Sequence, residues 1–210
     1  MAADLVFYTN PMSRGRIARW MLEETGCDYE TRTLDYASSM KDGDYLTVNP
    51  MGKVPAIVHN GRVVTECAAI CAYLADAFPD AGLAPPTSDR ADYYRWLFFA
   101  AGPVEQAVTL HAVGYQPTAE RERMFGFGTY DRTVDVLEQA VTAHAYVAGD
   151  TFTAADVYVG SQVGWGLQFG TLPKRDSFAA YAGKLMARDA YKRAAEKDDA
   201  LMPAPEPSAA

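Results

Sequence analysis

The fold of this chain is decided by one stretch, Asn49-Pro50-Met51-Gly52-Lys53-Val54-Pro55-Ala56, and by the residues that follow it. Pro55 stands directly before an apolar run, and an X-Pro bond there can be cis because proline removes most of the usual preference for trans. A cis bond would turn the N–H and C=O of Val54 outward, where an extended peptide could pair with them as an added strand. An ordinary tight turn before a hairpin is the alternative interpretation.

The residues after Pro55 predict a hairpin and then a helix. Apolar runs at 57–59 and 62–65 flank Asn60-Gly61, the preferred sequence for a type I′ turn, so the two strands should be antiparallel. Glu66 then opens an apolar helix that extends to Ala77 and is stopped by Pro79. A helix start offers free N–H groups to a carboxylate, and an acidic side chain can bind an amine. This region therefore suits a small zwitterionic peptide.

The residues before Asn49 predict a βαβ unit. Residues 4–9 resemble a short buried strand, and 14–24 carry apolar side chains at helical spacing with Gly26 as the C-cap. A second strand at 29–34 completes the unit, whose crossover should be right-handed. A short helix is expected around 41–46. The order βαβ-ββα is that of a thioredoxin-like domain.

Composition divides the chain into an α/β part and an all-α part. We predict a thioredoxin-like domain at 1–78, a linker rich in proline and glycine at 79–88, an all-helical domain at 89–202 and a disordered tail at 203–210. A variant capping box, Thr153-Ala154-Ala155-Asp156, marks one helix start in the second half. The other predicted helices there span 89–112, 118–143, 178–188 and 189–196.

Composition also excludes several classes of function. The 27 acidic and 19 basic residues give a net charge of −8, which argues against nucleic acid as a partner because phosphate binding needs clustered Lys and Arg. No apolar run reaches the ~18 residues of a membrane span, and the N-terminus lacks signal-peptide features. Three cysteines and three histidines show no disulfide or metal-site spacing. We therefore expect a cytoplasmic protein that contacts no membrane and uses no metal.

Several motifs, in this order and spacing, resemble the cytosolic glutathione transferase family of bacteria, and the resemblance covers nearly the whole chain. They are Tyr8-x-x-Pro11-x-Ser13-Arg14-Gly15-Arg16, Arg19-Trp20-Met21-Leu22-Glu23-Glu24, Asn49-Pro50-x-Gly52-Lys53-Val54-Pro55, Glu66-Cys67-Ala68-Ala69-Ile70 and Phe152-Thr153-x-Ala155-Asp156. The resemblance implies a thioredoxin-like domain joined to a helical domain, usually in a homodimer. It implies reduced glutathione as the co-substrate, bound by the first domain.

The resemblance also implies which residues hold glutathione. The backbone of Val54, set by Pro55, would pair with the cysteinyl part, and Lys53 would reach the peptide backbone. Glu66 would face the γ-glutamyl ammonium, and Cys67 would hold the γ-glutamyl carboxylate at the helix N-terminus. Cys67 departs from the usual Ser or Thr of the family. Because a thiol is a weak donor, its backbone N–H should contribute more than its side chain.

Two hydroxyl groups compete to activate the glutathione thiol. Ser13 lies in the loop where serine-type family members carry their catalytic hydroxyl, although it could equally be a plain N-cap. Tyr8 ends the first strand at the spacing of the tyrosine-type classes, although it could equally pack within the sheet. Arg14 or Arg16 could add positive potential at the sulfur, or form a surface ion pair of little value. We favour a serine-type site and keep both hydroxyls as candidates.

A small hydrophobic electrophile is expected to bind between the domains. The candidate contacts are aromatic or apolar residues that could equally be core: Phe98, Phe99, Pro103, His111, Tyr115 and Phe169. The resemblance implies conjugation of this electrophile by a glutathione S-transferase. Glutathione-dependent peroxidase or disulfide reductase activity is a second enzyme hypothesis. A non-catalytic interaction protein of the same fold is a third, to which the Cys67 departure lends weight.

Overall fold

The structure, a computed structural model, describes residues 4–202. The chain forms two compact units, one containing residues up to Ile70 together with those from Asp189 onward, and the other Cys71–Arg188. The strands are β1 (Leu5–Thr9), β2 (Glu30–Thr33), β3 (Ala56–His59) and β4 (Arg62–Thr65). The α-helices are α1 (Gly15–Thr25), α2 (Gly43–Val48), α3 (Cys67–Ala77), α4 (Ala91–Phe99), α5 (Glu105–Ala112), α6 (Tyr130–Ala143), α7 (Ala154–Phe169), α8 (Asp176–Met186) and α9 (Asp189–Asp199).

The first unit is built on a mixed four-stranded sheet with the order β2-β1-β3-β4. β1 pairs with β2 in parallel and with β3 in antiparallel, and β3 pairs with β4 in antiparallel. Asn60 and Gly61 have φ angles of 50° and 74°, as a type I′ turn requires. The thioredoxin-like plan predicted from the sequence is therefore confirmed.

Helix α1 follows its hydrophobic pattern. Ile17, Met21 and Leu22 are almost completely buried, and they recur at the spacing of one helix face. Gly26 ends the helix in the left-handed region (φ 67°), where its N–H bonds to the Leu22 carbonyl. The sequence predicted both this helix and its glycine cap.

In the second unit, the long helix predicted at 89–112 is interrupted. Between α4 and α5, Ala100–Val104 forms a wider π-helical turn that contains Pro103. Proline has no N–H to donate, and its ring clashes with the carbonyl four residues earlier, here that of Phe99. The wider turn accommodates Pro103 without ending the helical path.

The helix predicted at 118–143 begins twelve residues later, so the predicted start was wrong. Turns and a short 3-10 helix, Glu122–Met124, precede α6, which starts at Tyr130. Gly128 has a φ of 66°, and the Thr129 hydroxyl accepts a hydrogen bond from the Arg132 N–H. The true start is therefore set by a glycine turn followed by a threonine N-cap.

The remaining helices agree with the sequence except in their exact ends. Thr153 and Asp156 form the predicted capping box at the start of α7. Contacts group α9 with the first unit rather than with the other C-terminal helices. The division of the chain at 79–88 stays a prediction, and the predicted tail at 203–210 lies outside the described residues. None of the helices described at 4–202 is long and apolar enough to cross a membrane.

Candidate functional site

The loop before β3 presents the peptide edge predicted from the sequence. The Val54–Pro55 bond is cis, which confirms the predicted bond geometry, and Pro55 is buried. The carbonyl of Lys53 accepts hydrogen bonds from the Tyr45 hydroxyl (2.5 Å) and the Asn49 side-chain amide (2.8 Å). Within residues 4–202, no hydrogen bond is formed to the N–H or C=O of Val54. A rigidly held backbone edge is thus available for pairing.

Two copies of the tripeptide Asn-Pro-Met shape the loops of this unit, at 10–12 and 49–51. In each, the asparagine side-chain oxygen accepts the N–H two residues later, at 2.9 Å for Asn10 and 3.1 Å for Asn49. Each side-chain amide also donates to a carbonyl at 2.8 Å, that of the distant Leu34 for Asn10 and that of the nearby Lys53 for Asn49. The sequence analysis named Asn49 only as part of a motif and gave neither asparagine a role, although Asn-Pro is a recognised turn signal.

The start of α3 lies beside the start of α1. Glu66 is exposed and has a φ of 65°, a left-handed conformation that is uncommon for a residue with a side chain. It directly precedes Cys67, the first residue of α3, whose buried thiol donates to the Arg14 carbonyl at 3.5 Å. This contact brings the predicted carboxylate-binding residue next to the predicted thiol-activating loop.

The Ser13 hydroxyl already takes part in two hydrogen bonds at the entrance to α1. It donates to the Asn10 carbonyl at 2.7 Å and accepts the Gly15 N–H at 2.9 Å. The residue as a whole is half-buried. To donate to a bound sulfur, the hydroxyl would have to rotate its proton away from Asn10.

Gly15 permits this tight loop. A Cβ added there would lie 2.0 Å from Thr9 Oγ1 and 2.9 Å from Ser13 Oγ. Any larger residue would have to push α1 away from the end of β1. Glycine therefore allows the helix to start close to the strand, with Ser13 between them.

Tyr8 is placed differently. Its ring packs in a cluster with Tyr45 and Val54, with ring centroids 5.3 Å apart for the two tyrosines. Its hydroxyl accepts a hydrogen bond from the exposed Arg32 guanidinium at 3.2 Å. Burial raises the pKa of the neighbouring Tyr45 to about 12, which keeps that hydroxyl protonated as a donor to Lys53. Tyr8 therefore packs against the same cluster as Val54, and its hydroxyl is bound to Arg32.

The side chains of Arg14 and Lys53 are exposed. Their backbone carbonyls accept the hydrogen bonds described above, from Cys67 to Arg14 and from Tyr45 and Asn49 to Lys53. Arg16 forms an ion pair with Asp199 at 2.8 Å, the surface pairing that the sequence analysis had considered. Among residues 4–202, no group of three or more His, Cys, Asp or Glu could hold a metal ion.

The candidate electrophile contacts fall in varied settings within the second unit. Phe99 packs edge-on against Trp96, and His111 stacks on Tyr130 with ring centroids 3.9 Å apart. Pro103 lies in the π-helical turn, half-buried. Phe98 and Phe169 are 70% and 69% exposed, and Tyr115 is 40% exposed. Exposure of Phe98 and Phe169 leaves them free to contact a ligand, whereas His111 is already engaged.

Comparisons with known proteins agree on one family. Residues 3–76 match the profile described as "Glutathione S-transferase, N-terminal domain". Glutathione S-transferase 3 of Zea mays is 31% identical over 167 residues, covering 73% of this chain and 74% of the maize protein. Glutathione S-transferase GstA of Escherichia coli O157:H7 is 29% identical over 149 residues, or 69% and 73% of the two chains.

Solved structures extend the match over almost the whole chain. A glutathione transferase from Methylococcus capsulatus str. Bath has a TM-score of 0.76 and 28% identity, covering 93% of this chain and 99% of that one. A sphingomonad glutathione S-transferase in complex with glutathione has a TM-score of 0.75 and 28% identity, covering 92% and 98%. The architecture and the relatives therefore point to the same family.

Proposed function

The chain belongs to the glutathione S-transferase family, and we propose that it binds reduced glutathione along Val54 and activates the thiol with Ser13. It is a transferase that acts with glutathione. The observation that carries the site proposal is the hydrogen bond from Cys67 to the Arg14 carbonyl. It places the start of α3, suited to the γ-glutamyl group, beside the loop that holds Ser13.

The proposed binding mode uses three parts of the first unit. The Val54 N–H and C=O pair with the cysteinyl residue of glutathione as an added strand. The first N–H groups of α3 bind the γ-glutamyl carboxylate, where the helix dipole favours negative charge. The Glu66 carboxylate binds the ammonium group, and Lys53 contacts the tripeptide backbone. Because the Cys67 thiol already donates to Arg14, the backbone N–H of Cys67 carries the carboxylate contact.

Ser13 is the better candidate for activating the thiol. The Gly15 N–H bonds to its oxygen at 2.9 Å, which polarises the hydroxyl and makes it a stronger donor. The Tyr8 hydroxyl instead lies within reach of the exposed Arg32. A free thiol has a pKa near ~8.5, and each unit of lowering corresponds to about 1.4 kcal/mol of preference for the thiolate. Arg14 adds positive potential at the same loop.

The reaction is nucleophilic attack by the thiolate on an electrophilic carbon. A C–S bond forms, and either a leaving group departs with its electron pair or water protonates the carbanion. Holding both reactants on one protein supplies much of the rate gain. Phe99, Pro103, His111 and Phe169 are the proposed contacts of a small hydrophobic electrophile. A homodimer in the cytoplasm and a role in detoxification complete the proposal.

No observation favours the two alternatives. Thioredoxin-type disulfide exchange by the protein itself would need a Cys-x-x-Cys pair, whereas residues 13–16 read Ser-Arg-Gly-Arg. Glutathione-dependent peroxidase or disulfide reductase activity would use the same glutathione site as conjugation. The non-catalytic hypothesis rested on Cys67, which retains a backbone N–H at the helix start. Turnover of a chloronitrobenzene, compared with that of a hydroperoxide or a mixed disulfide, separates the enzyme hypotheses.

The test is a pH titration of protein-bound glutathione, followed by the ultraviolet absorbance of its thiolate. Ser13→Ala should raise the pKa of the bound thiol by roughly two units and slow conjugation by about 10²-fold, the effect of losing one catalytic donor. Ser88→Ala, an exposed serine of the second unit, is the matched control and should change neither value.

Two results would contradict the proposal in different ways. Absence of glutathione binding at millimolar ligand, measured by calorimetry, would refute the binding site as a whole. If Tyr8→Phe raised the thiol pKa and Ser13→Ala did not, the site would be tyrosine-type, and Ser13 would serve only to accept the Gly15 N–H at the start of α1.

A further inference from the structure

Helix α9 lies against one face of α1, inside the first unit. The α1 residues on this face are Arg16, Arg19, Trp20 and Glu23, which recur at i, i+3, i+4 and i+7. Trp20 meets Tyr191 edge-on, with ring centroids 5.0 Å apart. Glu23 accepts hydrogen bonds from side chains of α9 at the far end of α1. Helix α9, the last one in residues 4–202, thus contacts α1 along most of its length.

A buried ion pair sets the register of this contact. Arg19 Nε donates to Asp198 Oδ1 at 2.7 Å, and both side chains are about 98% buried, with 2% and 1% of their surface exposed. Arg19 Nη1 also donates to Tyr29 and Thr31. Sliding α9 along α1 would leave a buried charge without its partner, at a high cost. The next residue of α9, Asp199, is therefore held beside the start of α1.

Arg16 connects Asp199 to the loop before α1. Its Nη2 donates to Asp199 Oδ1 at 2.8 Å, while its Nε donates to the Pro11 carbonyl at 2.5 Å. Pro11 is buried and stands two residues before Ser13. One guanidinium thus joins the end of α9 to the backbone of the loop that presents the Ser13 hydroxyl.

We propose that Arg16 and Asp199 are positioning residues for the glutathione reaction, holding the Pro11–Ser13 backbone in place from α9. This inference rests on the proposed function of Ser13. Asp199 orients the Arg16 guanidinium by accepting from its Nη2. The guanidinium in turn holds the Pro11 carbonyl in place by donating from Nε. The hydrogen bond to Arg16 is the route by which Asp199 acts on the loop.

A purely electrostatic role makes the opposite prediction. If Arg16 acted by its charge on the sulfur, Asp199 would weaken that charge, and its removal would lower the pKa of the bound thiol. If Arg16 instead acts by positioning the loop, removal of Asp199 lets the Arg16 guanidinium move and raises the pKa of the bound thiol. The direction of the change therefore distinguishes the two roles.

The experiment is a double-mutant cycle in the full chain, read out by the pKa of bound glutathione and by kcat/KM. Arg16→Met keeps the aliphatic stem and removes both contacts, so kcat/KM should fall about tenfold, within the range for misplaced catalytic groups. Asp199→Ala should lower kcat/KM about threefold and raise the pKa of the bound thiol. The double variant should match Arg16→Met alone, because Asp199 acts through Arg16.

Two further variants complete the design. Asp199→Glu keeps a carboxylate and should restore most of the activity. Asp189→Ala removes the exposed pair with Lys192 at the other end of α9 and is the matched control. It should leave both readouts unchanged.

The outcomes separate this inference from the proposed function. If the wild-type protein forms no glutathione thiolate, the proposed function has failed. If it does, but Asp199→Ala leaves the thiol pKa unchanged or lowers it, or the two single effects add in the double variant, the positioning role is refuted.

Discussion

The buried pair Arg19–Asp198 allows a quantitative test of how α9 is attached. Asp198→Asn keeps the size of the side chain and an oxygen that can accept from Arg19 Nε, but it removes the negative charge. The guanidinium would then remain charged and almost fully buried. Breaking one partner of such a pair costs about 3–5 kcal/mol in measured cases.

The contacts that Arg19 keeps place the expected loss of stability at the lower end of this range. Its Nη1 keeps hydrogen bonds to Tyr29 (3.3 Å) and Thr31 (3.2 Å), and its guanidinium lies 5.1 Å from the centre of the Phe7 ring. We therefore expect a loss of about 3 kcal/mol. For a chain of this length that corresponds to a melting temperature lower by roughly 6–12 °C.

The assay is urea unfolding followed by tryptophan fluorescence, to which Trp20, packed on Tyr191, contributes together with Trp96 and Trp165. Asp189→Asn serves as the control, because its pair with Lys192 is exposed and worth at most about 1 kcal/mol. Replacing both partners, as Arg19→Met with Asp198→Leu, should recover most of the loss. Equal costs for Asp198→Asn and Asp189→Asn would show that the pair does not hold α9 in place.

Three further predictions concern the glutathione site and α9. Glu66→Ala should weaken glutathione binding by about tenfold, the value of one charged hydrogen bond, and an unchanged Kd in calorimetry would remove Glu66 from the site. Cys67→Ser should tighten binding by a few-fold, roughly 0.5–1 kcal/mol, because a hydroxyl donates better than a thiol; weaker binding would show that the bond to the Arg14 carbonyl matters more. Burial opposes the ionisation of Glu23, but hydrogen bonds from Lys197 and Tyr29 outweigh it and lower the pKa of Glu23 below its usual 4.5. Its stabilising contribution should therefore be present above pH 4.5 and disappear as the pH falls through that lower pKa, so the stability difference between wild type and Glu23→Gln, measured by unfolding across pH, should vanish in acid.

Local signals in the sequence determined most of the first unit and one helix start in the second. The cis bond before Pro55, the Asn60-Gly61 turn, the Gly26 cap and the Thr153–Asp156 capping box depend on residues a few positions apart. Such features are readable because proline, glycine and capping side chains restrict the backbone directly. The same local reading failed at 118–129, where apolar spacing suggested a helix and the glycine turn before Tyr130 prevented it.

The candidate site was named from the sequence but could not be assembled from it. The residue pattern indicated Val54 and Glu66, and the family resemblance implied Ser13 and Cys67. The contact between Cys67 and Arg14, in contrast, joins residues 53 positions apart. The support of the Lys53 carbonyl by Tyr45 and Asn49 was likewise invisible, since it depends on how the loop after α2 folds back onto that helix.

Tertiary structure alone decided which helix α9 packs against. The sequence of α9 is amphipathic and acidic at both ends, and nothing in it distinguishes packing on α8 from packing on α1. Pairing Asp198 with Arg19 joins residues 179 positions apart, and each charge can stay buried only because the other compensates for its lost water. A periodic pattern specifies that a helix has a buried face, but the partner of that face is selected by complementary charge and shape across the folded chain.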